Sequence, residues 1–178
     1  MMKGYRLLRS FLAALLITSV LPLVHADDAL TYRDVVKTQI ENLSQPAPSR
    51  FSSAQPSQQQ LAELAAAGVK HIISLRPASE LEWNEREVVE SLGMTFHNVP
   101  VAVPDGINLE NAEEFSRVLE SIGDEPVLMH CASGNRVGAM VALKHGADTG
   151  DLDTAVTLGK AWGMTRLESM VREKLTTE

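Results

Sequence analysis

Apolar and polar positions along this chain change period several times, and each change marks an element. Phe11 to Val24 is an almost unbroken apolar run behind the basic residues Lys3, Arg6 and Arg9. Val35, Val36, Ile40 and Leu43 then form a weak helical stripe that runs into Gln45-Pro-Ala-Pro48, and Arg50 to Ala54 has the form of a short edge strand. Ser57-Gln-Gln-Gln60 is a capping-box sequence opening a helix with Leu61, Leu64 and Ala65 inward and Gly68 as its stop. Val69 to Leu75 is a run of branched apolar residues, as in a buried strand, broken by Arg76-Pro77. A second helix is expected from Ser79-Glu-Leu-Glu82, with Leu81, Val88, Val89 and Leu92 on its apolar face and Gly93 beyond. Thr95 to Val99 gives the next strand, stopped by Pro100. A proline-containing loop leads to a third helix, capped by Asn108, with Leu109, Ala112, Phe115, Leu119 and Ile122 in line. Val127 to His130 is a further strand, and Arg136 to Lys144 is apolar almost all round, as a central helix would be. Helices opening near Asp151 and at Thr165-Arg-Leu-Glu168 complete the pattern. Strand alternating with helix predicts a single α/β domain with a mostly parallel sheet flanked by helices. Ligands bind such sheets outside the carboxyl ends of the strands.

One strand end carries unusual chemistry. His130-Cys131-Ala-Ser-Gly-Asn-Arg136 joins the strand ending at His130 to the central helix, and Cys131 is the only cysteine of the 178 residues. A strand, a tight loop and a helix N-terminus aim backbone N–H groups at one point, where the helix dipole favours an anion. A thiol placed there beside an arginine is expected to ionise readily and act as a nucleophile. Arg136 offers two parallel donors to a phosphate or sulfate-like group. Gly134 supplies the positive φ the turn needs. Ala132, Ser133 and Asn135 are expected to contribute backbone donors. His130 either tunes Cys131 or is simply a hydrogen-bonded core residue. Arg76 and Glu80 read as a local ion pair, and Trp83 and Trp162 as packing or a pocket wall.

Composition adds an address. Basic residues, an apolar run too short to span a bilayer, and Val24-His25-Ala26 before Asp27 predict a secretory signal over residues 1–26. A lead-in segment would then cover 27–49 and the α/β domain 50–178. Cleavage would remove three basic residues and leave 13 against 23 acidic ones, a net charge of −10. Such a chain repels nucleic acid and anionic membranes, so any bound anion must be drawn in by the loop itself. The expected location is the periplasm, without stable membrane insertion of the mature chain. No residues have metal-ligand spacing and there is no dinucleotide fingerprint, so no cofactor is expected.

The loop resembles the signature loop of cysteine-dependent phosphatases of the tyrosine and dual-specificity group. Ser53-Ala-Gln-Pro56 and Ile72-Ile-Ser-Leu-Arg-Pro77 with Glu80 are similar to a bacterial branch, the phosphatase-like domains related to the one fused to beta-lactamase-like hydrolases. The resemblance runs from about Arg50 to Gly146. It implies that Cys131 attacks phosphorus and that Arg136 with the amides of 132–136 binds the phosphate. It also implies that Asp105, 26 residues before Cys131, protonates the leaving oxygen, although Pro104-Asp-Gly106 is equally a plain turn. Two features depart from that pattern. Four residues rather than five separate Cys131 from Arg136, as in rhodanese-like sulfurtransferases, and Val137 stands where a Ser or Thr usually assists the thiolate to leave. Against sulfur transfer, the rhodanese Asp-x-Arg strand end is here Ser74-Leu75-Arg76 and the later glycine-rich turn is missing. The leading expectation is a phosphate-monoester hydrolase acting on a phosphorylated substrate. A Cys131 persulfide sulfurtransferase and a catalytically silent anion-binding module stay open.

Overall fold

The computed structural model describes residues 33–177. The expected signal segment 1–26 lies outside them. Five strands form one sheet in the order β1-β2-β5-β3-β4. They are β1 (Ser44–Ala47), β2 (Arg50–Ser53), β3 (His71–Ser74), β4 (Thr95–Asn98) and β5 (Val127–His130). All neighbours pair in parallel except β1 and β2, which form an antiparallel hairpin. After a short helical stretch at residues 33–37, the helices are α1 (Gln58–Ala66), α2 (Glu85–Ser91), α3 (Leu109–Ile122), α4 (Asn135–Thr149), α5 (Leu152–Ala161) and α6 (Glu168–Thr177).

Strand side chains alternate between faces, and the sheet accordingly separates two cores. Ile73, Val127 and Met129 face α3, α4, α5 and α6. Phe51, Ile72 and Leu128 face the other way, against Leu61 and Leu64 of α1 and Val89 of α2. Fully burying each such side chain contributes about 1.5–3 kcal/mol, so a one-residue register slip in a central strand would expose both layers. The α4 helix is buried along most of its length, as its composition predicts. Gly138 makes this possible, because a Cβ there would overlap the Gly159 carbonyl and the Met164 amide.

Most expected elements appear where the pattern puts them. The Ser57–Gln60 capping box closes in both directions, and Asn108 and Asp151 cap α3 and α5. Two expectations are corrected. Arg50–Ser53 is not an edge strand. Ser44–Ala47 folds back against it and takes the edge, with Pro46 in the one kind of strand that tolerates a missing N–H. The second helix does not open at Ser79. Residues Ala78–Glu80 make a single 3-10 turn, Leu81 is extended, and Asn84 caps the helix by accepting from the Glu87 amide. Glu80, at the end of that turn, gives its carboxylate to Arg76 and Arg136 rather than to a helix cap. No helix among the described residues is long and apolar enough to cross a membrane.

Candidate active site

The β5 strand ends at His130, and the loop 131–134 delivers the chain into α4 with Gly134 at its N-cap, φ +82°. A residue with a Cβ would be strained there. The turn wraps the loop around Cys131. Cys131 is buried, 1% exposed, and its Sγ accepts the backbone N–H of Arg136 at 3.4 Å. That amide sits in the first turn of α4, where unpaired N–H groups and the helix dipole add positive potential. Ala132 is exposed and Ser133 half-buried, and Ser133 forms a lone bridge with Ala54 beyond β2.

The Arg136 guanidinium is held on three sides. Nη1 donates to the carbonyls of Leu75 (3.2 Å) and Val101 (3.1 Å), and Nη2 donates to Glu80 Oε2 at 2.6 Å. Arg76 shares that carboxylate, with its Nε at 3.3 Å, so the expected Arg76–Glu80 pair exists and also reaches Arg136. Burial alone would raise the Glu80 pKa, but hydrogen bonds and charge from Arg136 and Arg76 outweigh it and hold the carboxyl below its ordinary value. A planar fork fixed this way is pre-oriented for oxygen ligands.

Next to Cys131 in the chain, His130 belongs to a buried pair. His130 Nε2 stands 3.0 Å from Glu85 Oε1, with both side chains fully buried, though the ring N–H lies outside hydrogen-bond geometry. Gln55 Nε2 donates to the same Glu85 oxygen at 2.6 Å. Burial pushes the Glu85 carboxyl up, yet contacts from His130, Gln55 and Ser74 prevail and keep it below its ordinary value. Trp83 joins Arg76, Glu85 and Phe96 in the wall of a cavity of about 330 Å³, whereas Trp162 is core.

The sequence pattern did not reveal two braces. Asn135, expected to supply only its backbone, uses side-chain Oδ1 to accept the amides of Thr165 (2.8 Å) and Arg166 (3.1 Å). Asn42 Nδ2 donates to the Ser133 carbonyl at 3.3 Å. Both link residues far apart in sequence, and no local spacing signals them. Val137 points into the core with no exposure, so the position after Arg136 offers the site no hydroxyl.

Asp105 stands apart from this cluster. It is exposed, and its carboxylate makes no hydrogen bond or ion pair among the described residues. Its backbone is well held. Asn108 Nδ2 donates to the Asp105 carbonyl, and a Cβ on Gly106 would overlap Ala102. The loop that carries it begins at Val101, whose carbonyl is one of the Arg136 acceptors.

Solved structures share this arrangement of sheet and helices. A candidate phosphatase (DUF442) from Shewanella putrefaciens CN-32 is 25% identical, with a TM-score of 0.60 over 79% of this chain and 96% of its own. A candidate phosphatase from Neisseria meningitidis Z2491 is 28% identical, with a TM-score of 0.61 over 75% of this chain and 96% of its own. A cysteine-to-serine variant of TpbA from Pseudomonas aeruginosa, in complex with phosphotyrosine, shares the fold at 21% identity, with a TM-score of 0.57 over 77% and 91% of the two chains. A search among curated proteins finds no match. The family model Tc-R-P, described as the DSP-PTPase phosphatase of polymorphic toxin systems, matches residues 47–147, a span holding Asp105, Cys131 and Arg136. Between phosphate and sulfur chemistry the family decides for phosphate, and this chain belongs to it as a cysteine-based phosphatase.

Proposed function

We propose that the protein is an exported phosphatase that hydrolyses a phosphate monoester through a phospho-cysteine intermediate. The Cys131 thiolate attacks phosphorus, forming the S–P bond as the P–O bond to the leaving group breaks. Asp105 gives its proton to that leaving oxygen. Water then attacks phosphorus, Asp105 takes the proton from it, and the S–P bond breaks to return the thiolate and release inorganic phosphate. Arg136 and the amides of residues 132–136 stabilise the charge on the equatorial oxygens throughout. The observation that carries this reading is the placement of Arg136. Its amide donates to Sγ while Glu80 and two carbonyls fix its guanidinium. The phosphotyrosine bound by the TpbA variant supports an aryl phosphate as the first substrate class to try. The basic residues, apolar run and Val24-His25-Ala26 of the N-terminus support export to the periplasm.

Purified mature protein would be assayed with an aryl phosphate and, separately, with thiosulfate plus cyanide, each beside Cys131→Ser. Phosphate release that disappears in the variant is the expected result. Thiocyanate formation alone would replace the mechanism with persulfide transfer, and inactivity in both would leave an anion-binding module. Asp105→Asn is expected to slow a poor leaving group more than a good one, and an equal loss on both would remove Asp105 from the proton transfer. For export, mass spectrometry of the periplasmic protein should find a chain beginning at Asp27.

A further inference from the structure

Ser53-Ala-Gln-Pro56 is a motif to which the proposed chemistry assigns no task. Its glutamine follows β2, half-buried, between two charged clusters. Arg76 Nη1 donates to Gln55 Oε1 at 2.9 Å, and Gln55 Nε2 donates to Glu85 Oε1 at 2.6 Å. A primary amide has one accepting and one donating end. Turned over, it would set its NH2 against a guanidinium and its oxygen against a carboxylate. The two neighbouring charges therefore dictate which end faces which.

Each cluster leads to a different part of the loop. Arg76 shares the Glu80 carboxylate with Arg136. Glu85 pairs with His130, the residue that precedes Cys131. Glu85 Oε2 and both His130 ring nitrogens have no hydrogen-bond partner, so the Gln55 N–H is one of few donors available to that buried carboxylate. Losing a donor to a buried charge is costly, and the neighbours that can still move will move to compensate.

We propose that Gln55 is a positioning residue for the phosphatase reaction, joining the arginine that holds the phosphoryl group to the buried pair behind the nucleophile. It touches no substrate. It holds Arg76 so that Glu80 can present one oxygen to Arg136, and it keeps Glu85 beneath His130. This rests on the reading that Arg136 binds the phosphoryl group of the substrate.

The test is a double-mutant cycle on para-nitrophenyl phosphate. It uses wild type, Gln55→Met, Glu80→Gln and the double variant, with Cys131→Ser as the blank and inorganic phosphate as a competing ligand. Gln55→Met is expected to lower kcat/KM roughly tenfold or more and to weaken phosphate inhibition. In the Glu80→Gln background the same change should cost only about twofold, because the route to Arg136 is already cut. Equal losses in the two backgrounds would overturn the proposal, as would a loss matched entirely by a smaller folded fraction. Should Gln55→Met fail to fold, Gln55→Asn keeps the amide but is one methylene too short to span both partners. It should show the same coupling, and full activity in it would also overturn the idea. Absence of Cys131-dependent phosphate release in wild type would instead bring down the phosphatase chemistry and this inference with it.

Discussion

Two glutamate–histidine pairs stand at opposite ends of the same sheet. At the amino end, His71 Nε2 meets Glu125 Oε2 at 2.6 Å, with the glutamate 65% exposed. At the carboxyl end, His130 and Glu85 are 3.0 Å apart with no exposure at all. The shorter contact is the less consequential one. Water screens the first pair and would solvate either partner if the other were lost. The second has no such recourse and relies on Gln55 and Ser74. Distance alone therefore misranks these pairs, and burial ranks them correctly. The end of the sheet that encloses its charges is also the end that bears the cysteine loop, where perturbed carboxylates are most expected.

The contrast can be broken most forcefully through two arginines. Arg136→Lys should lower kcat/KM roughly 10²–10³-fold, since a lysine cannot reproduce the fork. Arg50→Lys alters a residue that donates to the Gly123 and Glu125 carbonyls and lies near the Asp124 charge at the amino end, and turnover should stay within about twofold. Comparable losses would mean that the two ends are not functionally distinct. Next in size, Glu85→Gln should destabilise the fold by about 3 kcal/mol in urea unfolding near pH 7. Because the folded Glu85 carboxyl titrates below its ordinary value, its contribution is complete above about pH 4.3 and is lost as pH falls through the folded pKa. The gap between wild type and variant should thus close on acidification, and a constant gap would show that packing rather than charge is responsible. Glu125→Gln should cost less than about 1 kcal/mol, and less again in high salt. A cost like that of Glu85→Gln would erase the distinction. The smallest effect is expected at His97, which lies 3.2 Å from His71. Burial first, then the charges of His71 and Arg86, lower its pKa, so its stabilising contribution is present above about pH 6.5 and falls below it. His97→Asn should flatten the change in melting temperature between about pH 7 and pH 5.

Much of the loop was legible because its signals are local. A strand end, a glycine needing positive φ and an arginine opening an apolar helix lie within seven residues, and each falls in its expected place. The buried pair was not legible, because Glu85 and His130 meet only when β3 and β5 become neighbours and α2 packs over them. Asn135 read as a plain backbone donor for the same reason, its partners lying 30 and 31 residues later. The edge strand Ser44–Ala47 was hidden by Pro46 and Pro48, which weaken any strand pattern, and only pairing with β2 brings it out. Asp105 lies exposed in a loop whose backbone Asn108 holds, a placement that the Pro-Asp-Gly pattern alone did not specify.

Val137, sealed in the core where a hydroxyl could have stood, bears on the tempo of the proposed cycle. In the first half, an oxygen leaves with a proton from Asp105. In the second half, a sulfur must leave with the Arg136 amide as the donor observed at Sγ. The halves are then unequal, and phosphorylated protein should accumulate between them. Rapid mixing would record a quick release of one equivalent of alcohol followed by a slower steady rate. A catalyst of this kind spends most of its working time loaded, waiting on water rather than on substrate.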